Sequence, residues 1–428
     1  MAQRRWRVRW GIFACLFGFA IFGYIQRTGI AIAAGRMLPE LGLTQIQFGW
    51  LINAFLISYT ALQVPGALLG QWIGPRRTFV VIGVVSAAAA CSTALAPAGV
   101  AGLAVLALML LGRSLLGAAQ AALFPVASGV IERWFPVRAW GLAQGTIVTG
   151  LWVGAALTPP LIAWLTSHAG WRFALTASSA PSLILVLWWW VYARDYPTAH
   201  RGVGADERAE LRDNPPGAVA RVSVAQLIAL LIDKRIALLT TSYFLMNYVF
   251  YLVTFWCFLY LVQERHFTLL EGGSLASLPF ASAAIAATVG GRLCDALCVR
   301  YGVRAGMRIV PAVALPAAAA FLILTGSVTS AYLAVATLCL AFACTELTEG
   351  TYWAATMRVA PRQAMPATAL LNMGGNLGGV VATPTIAALS AAHRWTSVFA
   401  LGATLAVLAA VVLALVDVEP AAPPQDGT

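Results

Sequence analysis

Residues 11–34 read GIFACLFGFAIFGYIQRTGIAIAA, an apolar run interrupted by a single charge, Arg27. Such a run exceeds the ~20 residues that a helix needs to cross the hydrocarbon core of a bilayer. Arginines precede it, as they precede the core of a secretory signal, but a signal core extends for only ~7–15 residues. The segment is therefore predicted to be the first membrane-spanning helix.

Eleven further stretches of the same kind follow, at approximately 46–70, 78–96, 102–130, 140–165, 173–193, 237–262, 272–294, 309–327, 331–356, 366–390 and 396–416. Across the 428 residues, 60% are hydrophobic and 10% charged, against about 25% charged in an ordinary soluble domain. Such a composition cannot wet a globule, and the solvent it implies is lipid. A span must satisfy its own backbone there, so the spans are helices. The expected fold is an all-α membrane protein of twelve transmembrane helices. A long polar interval separates six from six, giving an N-terminal half over 1–193, a cytoplasmic linker loop over 194–235 and a C-terminal half over 236–428.

Net charge is +11, but the basic residues stand in short clusters between spans, with no aromatic-interleaved patch on a soluble domain. Nucleic acid is not an expected partner. The clusters instead set orientation. Arg4, Arg5, Arg7 and Arg9, then Arg76 and Arg77, Arg133 and Arg138, the central loop, Arg292, Arg300, Arg304 and Arg308, and Arg358 and Arg362 all fall on one side. Only Arg36, Arg172, Arg265 and Arg394 fall on the other. Both termini are thus expected in the cytoplasm, with the chain in the inner (plasma) membrane as a monomer. The seven cysteines lie in or beside apolar segments and read as packing residues. The spacing of Cys294 and Cys298 invites a metal reading, but no histidine lies near them, so neither metal nor cofactor is expected.

The chain also repeats itself. Arg133-x-x-Pro136 recurs as Arg358-x-x-Pro361, Gly154-x-x-x-Thr158-Pro159 as Gly379-x-x-x-Thr383-Pro384, and His168 as His393, each pair 225 residues apart. Six spans duplicated in the same orientation make two parallel halves, a plan used by secondary transporters with a midplane site.

At the level of motifs, the stretch from Val64 to Arg77 is similar to the loop after the second span in the major facilitator superfamily. Gln71 and Trp72 stand where the superfamily usually has an acid and a base, and Gly290 to Asp295 is the nearer match in the second half. The resemblance covers essentially the whole chain. Within that superfamily the sequence most resembles the anion:cation symporter family, whose members move organic anions such as sugar acids. Its matching segments are Tyr24 to Thr28, Tyr59 to Gly66, Gly112-Arg113 through Gln120 to Pro125, Glu132 to Pro136, Tyr352 to Ala355 and Asn372 to Gly379. The resemblance implies a cytoplasmic gate loop containing Gly66, Gln71, Arg76, Arg77 and Asp295. It also implies a substrate site with arginines from the first and fourth spans. Arg76 and Arg77 also admit a plainer reading, as topology determinants alone.

Charges within the spans point the same way. An ionisable side chain near mid-bilayer costs at least ~2.5–3.5 kcal/mol on insertion scales, so it needs a partner or a function. Arg27 and Arg113 are the charges well inside spans of the first half; Glu346 and Glu349 are those of the tenth span. A guanidinium fork suits a carboxylate, so Arg27 and Arg113 are the candidate anion-binding residues. The competing reading is permanent pairing or snorkelling. Tyr24, Tyr59, Gln120, Tyr352, Trp353 and Asn376 are the candidates for the rest of the cavity. Most tryptophans, notably Trp188 to Trp190, read as belt or lipid-facing residues.

The sequence departs from proton-coupled relatives at two positions. Gln26 and Gln120 stand where those relatives carry an aspartate and a glutamate, and an amide does not exchange a proton at physiological pH. Glu346 and Glu349, three apart and expected on one helix face, are the replacement coupling candidates. The expected function is secondary active transport of small organic anions by alternating access, with protons as a candidate co-substrate. A proton-independent uniporter or exchanger and a drug or cation exporter are the alternatives. An enzyme is not expected, because no nucleophile–base pair or metal cluster gathers at one depth.

Overall fold

The computed structural model describes residues 7–96, 103–212, 223–361 and 363–418. Arg4, Arg5, Pro215, Pro216, Arg221 and Arg362 lie outside them. Among the described residues the regular structure is helical. The helices are α1 (Val8–Leu41), α2 (Gln45–Ala61), α3 (Gln63–Ile73), α4 (Pro75–Ala94), α5 (Leu103–Gln120), α6 (Leu123–Trp134), α7 (Trp140–Ala177), α8 (Ala180–Tyr192), α9 (Ala205–Glu210) and α10 (Val224–Ile232). They continue as α11 (Lys234–Gln263), α12 (Leu269–Leu275), α13 (Leu278–Tyr301), α14 (Val303–Ser327), α15 (Ala331–Glu346), α16 (Glu349–Val359), α17 (Ala364–Ala391) and α18 (Trp395–Ala414).

Every expected span is occupied by helix. Nine helical stretches among the described residues are long and apolar enough to cross a membrane, or ten with the α2–α3 pair, bent by 53°. One of the nine, Val137–Tyr192, has 56 residues and at 1.5 Å per residue would be about 84 Å long, far more than one crossing. Gly170, at φ 83° and ψ 161°, interrupts it. α17 is long enough but less apolar, because it carries Thr368, Asn372, Asn376, Thr383 and Thr385. Gly74 and Gly302 turn the chain between α3 and α4 and between α13 and α14, both at φ 83°. A Cβ is poorly tolerated at that φ, and the two glycines hold equivalent places in the two repeats.

The described residues divide into two units. Those within Met1–Trp134 and Gly150–Asp213 form one, and those within Phe135–Thr149 and Val222–Thr428 the other. In the first, α9 belongs to the folded unit, although its charges read as a solvated linker. Glu207 accepts from the backbone N–H groups of Val8 and Arg9 at 3.2 and 3.0 Å and from Arg9 Nε at 2.9 Å. It thereby caps the start of α1, where unpaired donors and the helix dipole favour an anion. In the second unit, the Phe135–Thr149 segment lies against α13: Gly141 and Gly145 leave room for the backbones of Gly291 and Ala287.

Both units interrupt one span at the same place. α5 stops at Gln120 and α6 starts at Leu123; α15 stops at Glu346 and α16 starts at Glu349. A glycine packs on each break, Gly66 against Ala122 and Gly290 against the Leu347 carbonyl. These glycines, read in the sequence as part of a gate loop, are the contact surfaces that let the broken helices approach. Glu346 and Glu349 therefore flank a turn at Leu347–Thr348 instead of sharing one unbroken helix face.

Candidate functional site

In the first unit, α1, α2 and α5 bring the arginines together around one ring. The Arg27 guanidinium carbon lies 4.9 Å from the Phe55 ring centre, 5.0 Å from Tyr59 and 5.6 Å from Tyr24. That of Arg113 lies 5.1 Å from Phe55. Aromatic faces hold a cation while leaving the in-plane N–H edge available for an acceptor. Arg113 is buried; its Nη2 donates to the Arg27 carbonyl at 3.1 Å and its Nε to the Leu51 carbonyl at 3.4 Å. Among the described residues of this unit, no carboxylate forms an ion pair with either arginine. Glu40 instead engages Arg172 and Trp171, at the far end of α1.

A cleft beside these groups is lined by Ala20, Gly23, Tyr24, Arg27, Tyr59, Gln120, Leu123 and Phe124. Gln120 Nε2 donates to the Gly23 carbonyl at 3.0 Å and reaches Gln26 Oε1 at 3.5 Å, while Gln26 Nε2 donates to Ser182 Oγ at 3.0 Å. The two amides at the usual acidic positions thus stand within reach of each other. Both are buried and their donors are engaged, so neither places a fixed charge beside Arg27.

In the second unit, the candidates Glu349 and Trp353 are bonded to each other, and Tyr352 and Asn376 to neighbouring residues. Glu349 Oε2 accepts from Tyr243 at 3.1 Å and from Trp353 Nε1 at 3.0 Å, and Glu349 Oε1 has no hydrogen-bond partner among the described residues. Glu346 is completely buried at the end of α15. Asn376 Oδ1 accepts from Tyr251 at 2.8 Å and its Nδ2 donates to the Asn372 carbonyl at 2.7 Å. Tyr352 is buried, its hydroxyl 2.6 Å from Ser242 Oγ. The Gly374–Gly375 and Gly378–Gly379 pairs of α17 explain the motif around Asn376. Gly375 lies against Tyr243, Gly378 against the Phe244 carbonyl and Gly379 against Tyr251. Without side chains, they let α11 pass close enough for those hydrogen bonds to form.

The expected gate-loop residues make their contacts within their own units. Arg76 donates through Nε and Nη2 to the Trp190 carbonyl and lies over the Trp190 ring, while its backbone N–H donates to Asp195 at 2.8 Å. Arg77 is exposed. Gln71 Oε1 is buried with no partner among the described residues. Asp295 receives the backbone N–H groups of Gly141 and Leu142 at 3.1 and 2.7 Å, capping the start of α7. Nearby, Arg358 Nη2 donates to the Val137 carbonyl at 2.9 Å. The tryptophan reading divides too. Trp188 and Trp190 are exposed, but Trp189 is buried against Phe19 and Phe79 and donates to the Arg76 carbonyl.

Four residues of these two constellations escaped the sequence reading. Phe55 stands one helical turn before Tyr59, and Tyr243, Asn247 and Tyr251 recur every fourth residue of an apolar span. Both are signals a period search recovers.

Residues 11–367 match the Major Facilitator Superfamily. The chain is 30% identical over 372 residues to the probable sulfoacetate transporter of Cupriavidus necator, spanning 86% of this chain and 83% of that one. It is 24% identical over 391 residues to the probable galactarate/D-glucarate transporter of Escherichia coli K12, spanning 89% and 86%. Its fold is similar to the crystal structure of FucP, a superfamily transporter in the outward conformation, with a TM-score of 0.72, 14% identity and coverage of 95% and 99%. Its helices are those of a multi-pass membrane protein, its relatives are transporters rather than enzymes, and the chain belongs to the Major Facilitator Superfamily.

Proposed function

We propose that this protein is a secondary transporter of small organic anions, carboxylates or sulfonates, working by alternating access. The observation that carries the reading is the pair of guanidiniums packed on Phe55, 4.9 and 5.1 Å from its ring centre, without a carboxylate partner in their unit, beside a cleft with tyrosine and amide groups. Arg27 and Arg113 supply charge and paired donors to the anion. Tyr24, Tyr59 and Gln120 supply hydrogen bonds to a hydroxylated substrate. A cation exporter is disfavoured because two positive groups repel its cargo. The names of the relatives, sulfoacetate and galactarate or D-glucarate transporters, support an anionic substrate of this size. The excess of arginine on one side supports an inner-membrane protein with both termini cytoplasmic. We assign it as a monomer.

Coupling to protons is assigned to the second unit, at Glu346 and Glu349. Glu346 is the last residue before the break in its span, as Gln120 is before the break in the fourth, so the second repeat keeps an acid where the first has an amide. Tyr243 and Trp353 hold Glu349, across the turn from that acid. The Gln26–Gln120 pairing favours one competing reading, exchange or uniport without protons. Calorimetric titration of the purified protein with glucarate, a two-carbon sulfonate and an organic cation tests the assignment. Binding of the acids alone is expected, and binding of the cation alone overturns it.

A further inference from the structure

Cys294 and Cys298 lie one helical turn apart on α13, and Met307 follows on α14 after the turn at Gly302. Cys294 Sγ is 3.5 Å from Met307 Sδ, and Cys298, on the same face of α13, has its Sγ against Gly306, the chain neighbour of Met307. Cys294 and Met307 are fully buried, and Cys298 is 7% exposed, which leaves a narrow way in. Gly306 packs directly on the backbone of Cys298, so the close approach of α13 and α14 is built into the turn. Three sulfurs thus meet where sequence spacing showed only two.

We propose that Cys294, Cys298 and Met307 form a binding site for one soft monovalent cation, Cu(I) or Ag(I). Thiolate and thioether donors select such ions, whereas a carboxylate or imidazole set selects harder ones. Sulfurs bound at ~2.3 Å to a common ion stand roughly 3.8–4.6 Å apart, so the Cys294–Met307 pair needs to open by about 0.3–1.1 Å. Binding displaces one proton from each thiol to solvent and leaves a two-thiolate, one-thioether complex of net charge −1. Zinc fits less well, because it takes thiolate, imidazole or carboxylate ligands and not thioether.

The test is competition for Cu(I) between the purified protein in detergent and a chromophoric Cu(I) chelator, and it needs no transport substrate. Wild type is expected to withdraw one Cu(I) per chain. The Cys294→Ser/Cys298→Ser double variant should lose on the order of 100-fold in affinity and Met307→Leu on the order of 10-fold. Cys339→Ser, on a different helix, should bind as wild type does. Thermal midpoints equal to wild type establish that the variants are folded. Equal competition by wild type and the double variant overturns the site, and full retention by Met307→Leu overturns the three-sulfur assignment.

Discussion

Replacing Arg113 with glutamine removes a positive charge that is almost wholly buried and 5.1 Å from the Phe55 ring centre. A hydrogen bond between charged partners contributes about 1.5–3 kcal/mol, and each 1.4 kcal/mol is about a tenfold change in affinity. The dissociation constant for the anion should therefore rise roughly 10- to 150-fold. Arg113→Lys keeps the charge but loses the fork, and should fall between wild type and the glutamine variant. The assay is calorimetry with the best-binding acid, paired with thermal unfolding. Arg113 also donates to the Arg27 carbonyl, so loss of binding counts only if the fold persists. Should the glutamine variant unfold, the lysine variant decides. Wild-type affinity in a folded Arg113→Gln protein would refute the reasoning.

Glu349→Gln should abolish uphill accumulation driven by a proton gradient while leaving exchange of labelled for unlabelled anion; accumulation at the wild-type level would remove Glu349 from the coupling path. Glu207→Gln takes the charge from a buried pair with Arg9, whose side chains are 5% and 3% exposed, and from the cap of α1. Breaking such a pair costs about 3 kcal/mol, of which the remaining Arg9–Glu210 contact at 3.1 Å offsets a part, so the thermal midpoint in detergent should drop, and an unchanged midpoint would show that Glu207 is dispensable.

The helical architecture was legible because apolar length and backbone self-satisfaction leave little choice in lipid. The break at Leu347–Thr348 was not, since no proline stands near it, whereas that at Ala121–Ala122 is marked by Pro125, which has no N–H for the Ala121 carbonyl four residues earlier. The break at Leu347–Thr348 becomes intelligible when Gly290 is seen packed on it, as Gly66 is on the other. Arg27 and Arg113 stood out because charge in a span is costly. Phe55 did not, because one more phenylalanine in an apolar stretch looks like packing. The acids of α9 looked like solvated surface, and only the fold reveals that Glu207 meets the first turn of α1. Met307 was invisible as a partner of Cys294 for the same reason: a sequence records spacing along one helix, not the neighbour across a turn.

The most direct measurement is uptake of radiolabelled organic acids and organic cations into proteoliposomes containing the purified protein, with and without an imposed proton gradient. The account predicts that an acid enters, that the gradient drives it uphill, and that cations do not move. Entry of cations without entry of any acid would contradict the anion assignment built on Arg27 and Arg113, and acid entry indifferent to the gradient would contradict the coupling assigned to Glu346 and Glu349.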